Sequence, residues 1–158
     1  MDNLTPALVL GRVVEAESTV EGLKARLQRL DRPAGIETDW LPIASPMAGP
    51  EAGFVFTPEV DDLAVLGFVG KKGIILGFIF GGKTTPPTDA PEERKIASRD
   101  GNALILIDGD NTGITISDSN GNEIVMNADG ISMKTGGDFK IEASGTTTVI
   151  GTTVELNP

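Results

Sequence analysis

Neither histidine nor cysteine occurs anywhere in these 158 residues. That removes serine–histidine and cysteine–histidine catalysis, together with the usual zinc and iron ligands. Disulfides are excluded too, so nothing can be read about redox compartment. Positive charge is scarce: 13 Lys+Arg stand against 23 Asp+Glu, a formal charge of -10. Such a chain repels nucleic-acid backbones and anionic membranes, so neither a nucleic-acid partner nor stable membrane insertion is expected. Long apolar runs are also missing, since Ile74–Ile75–Leu76 and Phe78–Ile79–Phe80 are far too short to cross a bilayer. No basic segment with an apolar core opens the chain, and no signal peptide is expected. The expectation is a structural or binding protein rather than an enzyme, with no cofactor. Carboxylate chemistry and oxygen-ligand metals stay open.

What is present divides in two. The stretch TTPPTDAPEER (Thr84 to Arg94) holds three prolines and no large apolar residue, which reads as a linker. Before it lie Ala7–Val14, Ile36–Ile43, Gly53–Val69 and Ile74–Phe80, strand candidates broken by proline and glycine. Gly11 marks a bulge or a close-packing point. Val20–Leu30 fits two periods: Val20, Leu23, Leu27 and Leu30 suit a helix face, whereas Leu23, Ala25 and Leu27 alternate with Lys24, Arg26 and Gln28 as in a strand. About five strands without a clear long helix predict a small closed barrel.

The second half is a degenerate repeat. Apolar pairs at i and i+2 recur at Leu104/Leu106, Ile114/Ile116, Ile124/Met126, Ile131/Met133, Phe139/Ile141, Thr147/Val149 and Val154/Leu156. Their spacing is 10, 10, 7, 8, 8 and 7 residues, with Gly, Asn and Asp turns between. Each segment predicts a short strand with one apolar face. A plain meander or sandwich is one way to bury it. Three chains wound about a shared axis are another, each supplying one wall of a triangular prism. Seven strands stacked at ~4.8 Å would give a shaft on the order of 30–35 Å.

Three chemical motifs compete with this reading. GFIFGGKT (Gly77 to Thr84) fits G-x-x-x-x-G-K-[ST], the phosphate-binding pattern. Its variable positions are strand-like, and Thr85–Pro86–Pro87 follows where a helix should begin, so the match fails on context. DGDNTG (Asp108 to Gly113) echoes a calcium loop at Asp108 and Asp110, but Ser119 stands where the bidentate acid belongs. A solvated turn is the better account of it than a calcium or magnesium site. The adjacent acids Asp61–Asp62 and Glu92–Glu93 do not face each other across a cleft as glycoside hydrolysis needs.

GRVV (Gly11 to Val14), TDWLPI (Thr38 to Ile43), TPEVDDLAVLGF (Thr57 to Phe68) and GIILGFIFGGKTTPP (Gly73 to Pro87) together resemble the barrel of the phage baseplate assembly protein V family. That family shares its spike architecture with the VgrG spikes of bacterial secretion machines. The chain departs from it in carrying Asp61 where glycine is common, and Lys72–Gly73 before the last strand. From Asp100 onward the sequence resembles the trimeric β-helix of those families. The resemblance implies an all-β fold: an OB-fold barrel over 1–83, a linker over 84–99, and an intertwined homotrimeric β-helix needle over 100–158. It also turns Val20–Leu30 into a barrel strand. The implied function is the central spike of a contractile phage tail or contractile injection system, made in the bacterial cytoplasm and carried in the baseplate. A trimeric β-solenoid adhesin or carbohydrate-binding appendage is the alternative.

For the needle, the implied trimer core is Leu104, Leu106, Ile114, Ile116, Ile124, Met126, Ile131, Met133, Phe139, Ile141 and Val149. The implied partners are two further copies of the chain, a separate hub protein, and a PAAR-type tip protein. The tip would sit on Val154, Leu156, Asn157 and Pro158, because the His-x-His iron site of many pointed phage spikes has no histidine here.

Overall fold

The computed structural model of the chain describes residues 8–155. The chain divides into two units at Pro86/Pro87. The first contains β1 (Leu8–Thr19), β2 (Gly22–Arg29), β3 (Leu41–Pro42), β4 (Ala48–Gly49), β5 (Ala52–Gly53), β6 (Leu63–Val69) and β7 (Lys72–Ile79). Its main sheet runs β3-β2-β1-β6-β7. The chain just after β3 then bridges to β7 in parallel at Ile43 and Ile75, where the Ala44 N–H donates to the Ile75 carbonyl at 2.8 Å. That bridge closes the sheet into a barrel.

Closure depends on bending β1, which must serve two neighbours. Leu8–Arg12 pairs with β6 and Gly11–Thr19 with β2. The bend comes from a bulge: Val13 faces Leu27 but Glu15 faces Arg26, leaving Val14 extra. Gly11 is therefore not the bulge. It is a close approach, where a Cβ would stand 3.1 Å from the Leu27 Cβ. In β2 the alternation is that of a strand: Ala25 and Leu27 are buried, while Arg26 reaches Glu37 at 2.8 Å and Glu15 at 3.4 Å. The core consists of Val9, Val13, Ala25, Leu27, Ala64, Leu66 and Ile75, with Leu41, Ile43 and Phe68 packed against it. Between β3 and β6, β4 and β5 form a small hairpin whose turn residue Glu51 has φ 54°.

The second unit is an antiparallel meander of β8 (Glu93–Ala97), β9 (Ala103–Ile107), β10 (Gly113–Ser117), β11 (Glu123–Asn127) and β12 (Gly130–Lys134). The latter half of the stretch expected as linker, 84–99, is thus strand β8, bonded along its whole length to β9. No described residue of this unit is buried. From 135 to 155 the chain forms no strand or bridge with itself.

Candidate assembly interface

Residues paired across antiparallel strands project to the same face, so the meander's register sorts its side chains. Ile96, Leu104, Ile116, Ile124 and Met133 make one row across the five strands. Arg94, Leu106, Ile114, Met126 and Ile131 make the next row on that face. Between them, Lys95, Ile105, Thr115, Val125 and Ser132 project to the other side. One face is therefore aliphatic except for Arg94 on the outermost strand. That guanidinium is turned to the Pro91 carbonyl, 2.8 Å away, and to Asp108, 3.4 Å away.

Eight of the eleven expected core positions lie on this one face. In the single chain the face is open to water: Leu106 is 41% and Ile116 45% exposed. The other three, Phe139, Ile141 and Val149, follow β12 in the unpaired stretch and are also exposed. Val154 is exposed there too, while Leu156, Asn157 and Pro158 lie outside the described residues. Sequence reasoning missed Ile96, because it stands in a segment read as linker. The signal was its alternation with Lys95 and Ala97.

The turns that set the register are polar. In 118–122 the Asp118 carboxylate accepts the N–H groups of Asn120 and Asn122, each at 2.9 Å, and the Asn122 side-chain amide at 2.7 Å. These bonds favour the charged form and hold the Asp118 carboxyl down at about 2. Gly121 has φ 85°, as the equivalent Gly101 does at 90°, so both turns need a residue without a Cβ. At Gly113 the constraint is space: a Cβ would stand 2.7 Å from the Met126 carbonyl oxygen.

Elsewhere the competing motifs are occupied otherwise. The Lys83 ammonium lies 2.7 Å from Asp61 Oδ2, and that pairing lowers the Asp61 carboxyl. The Gly81 N–H donates to the Thr84 carbonyl at 2.9 Å, and no helix follows. The phosphate-like pattern is thus a clasped turn at the barrel exit. Arg12 completes the clasp by donating to the Asp61 carbonyl at 3.1 Å. Asp61 itself has φ 76°, a left-handed conformation that explains why glycine suits the position. Asp108 and Asp110 flank or enter a single 3-10 turn, Gly109–Asn111, and among the described residues no three acidic side chains converge.

A family model described as the type VI secretion system/phage-baseplate injector OB domain matches residues 9–80. A second, the phage baseplate V C-terminal trimerisation domain, matches residues 94–158. The chain belongs to the phage baseplate V family. No curated protein sequence matches it. The closed barrel is the OB domain of a baseplate V protein, and the open-faced meander opens its trimerisation domain. This baseplate V chain is accordingly a structural component of a phage baseplate or injection particle.

Proposed function

We propose that three copies of this chain form the central spike of a contractile machine. Each meander supplies one wall of a triangular prism, with the rows headed by Ile96 and Arg94 turned to the common axis. Beyond β12, residues 135–155 exchange backbone hydrogen bonds with neighbouring chains, as an intertwined β-helix. The observation that carries this reading is the aliphatic face of a unit in which no described residue is buried, in the segment matched by a trimerisation domain.

The work of such a needle is mechanical. A ladder of interchain hydrogen bonds around an apolar axis resists buckling when the tube is driven through an envelope. A hub protein holds the barrels, and a PAAR-type tip protein caps the end through Val154, Leu156, Asn157 and Pro158. Sedimentation of the purified chain tests the core of the reading: a trimer without glycan affinity is expected, and a monomer overturns it. For the cap, the candidate tip protein is co-purified with the chain and with a Val154→Asp, Leu156→Asp variant. Equal recovery by both would remove the tip from the reading.

A further inference from the structure

The barrel's first, sixth and seventh strands hide a core on their inner side and are apolar on their outer side as well. Pairing across the three strands sets Leu8 beside Gly67 and Ile74, Leu10 beside Val65 and Gly77, and Arg12 beside Leu63 and Ile79. The rung between the first two carries Val9, Leu66 and Ile75, and the next carries Ala64, all buried, so the rungs just named face outward. Leu8 is 59% and Leu10 40% exposed. Leu76, the extra residue of a second bulge, folds over Gly67: a Cβ there would stand 2.8 Å from Leu76 Cδ1 and 3.5 Å from Leu8 Cδ2. Beside it, the outward side of Gly77 meets nothing within 4 Å, leaving a shallow dent in the sheet. Between Arg12 at one end and Lys72 at the other, no charged side chain projects from this face, in a chain with 23 acidic residues.

We infer that this face packs against the barrel of a neighbouring copy, making the barrel a second site of contact between chains. The inference rests on the trimer proposed above. Two observations select a second copy as the occupant. The trimerisation domain begins at residue 94, and only eight residues lie between Thr84 of the clasped exit and Glu93 of β8. That span reaches at most about 30 Å, so in the trimer three barrels are held near one another at an effective concentration on the order of millimolar. In addition, the face carries no acidic side chain between Arg12 and Lys72, so two barrels packed there would juxtapose no acids.

The absence of cysteine makes the test clean, because each introduced thiol is the only one in the chain. Leu10→Cys and Leu76→Cys probe the face, and Lys71→Cys on the exposed β6–β7 turn is the control. In the full-length trimer both face variants should react with a maleimide at least about tenfold more slowly than the control, since a covered thiol is shielded. Combining Leu10→Cys with Ile116→Asp, which separates the chains on the same reading, should restore fast labelling. Fast labelling of both face variants in a sedimenting trimer overturns the inference and leaves the trimer standing. Slow labelling that persists in the Ile116→Asp background overturns it too, because the chain itself would then be covering the site. A wild-type chain that sediments as a monomer removes the trimer reading and this inference with it.

Discussion

Ile116 offers a measure of what the shared axis contributes. It sits in the middle strand of the meander, on the aliphatic face, between Leu104 and Ile124 on the neighbouring strands. The single chain leaves 45% of it in water, so assembly has about half of the side chain still to bury. Full burial of such a side chain is worth about 1.5–3 kcal/mol, which leaves about 1 kcal/mol per copy and about 3 kcal/mol per trimer. Ile116→Ala should therefore weaken the trimer by about two orders of magnitude in its dissociation constant. Ile116→Asp should abolish it, because three carboxylates cannot be desolvated together without partners. Thr115→Ala, one residue away but on the other face, should change little. Sedimentation equilibrium of the three variants is the assay. If Thr115→Ala weakened the trimer as much as Ile116→Ala, the assignment of faces to the axis would be wrong.

In the barrel, Leu27→Ala removes a wholly buried side chain and should cost about 2–5 kcal/mol, read as a lowered unfolding midpoint with β1 and β2 losing hydrogen-exchange protection first. Gly113→Ala forces a Cβ toward the Met126 carbonyl and should destabilise the meander by about 1–3 kcal/mol, visible as loss of protection in β10 and β11. Asp118 has its carboxyl pKa depressed to about 2 in the fold, so its stabilisation is complete above the unfolded value near 4. It is lost as pH falls from there through about 2, and an acid titration of wild type against Asp118→Ala should show the two converging over that window. Asp61→Gly relieves a left-handed backbone and should be neutral or stabilising by up to about 1 kcal/mol, whereas Asp61→Ala should destabilise; paired thermal melts distinguish them.

The parts of the fold that were legible in the sequence are those where one physical rule acts alone. In Ile114–Thr115–Ile116 and Ile124–Val125–Met126 the strand period places two apolar side chains on one face, and the glycine turns between repeats fix where each strand stops. Ile96 was hidden because proline and acidic residues dominate the composition around it, although cross-strand pairing with Leu104 decides its state. The hairpin of β4 and β5 was likewise lost in a proline- and glycine-rich stretch. Val20–Leu30 carried both periods, and pairing of β2 with β1 and β3 is a long-range fact that no local pattern contains. The apolar outer barrel face did leave a trace: Ala7–Leu10 and Ile74–Ile79 are nearly continuous apolar runs rather than alternating ones. As for the aliphatic face of the meander, its side chains could be named from spacing, but their openness in the single chain could not.

The two units also differ in when they can exist. The barrel holds a core drawn from its own strands, so one copy of it can fold at any dilution. No side chain of the meander is fully buried, and residues 135–155 form no strand or bridge within their own chain. In the proposed trimer its stability becomes a property of protomer concentration, and its formation a meeting of three molecules rather than the collapse of one. During synthesis the barrel emerges first and can be complete while the second unit is still a half-made sheet. The proposed trimer would thus place its slow, concentration-dependent step in the C-terminal unit, after the barrel that carries it has formed.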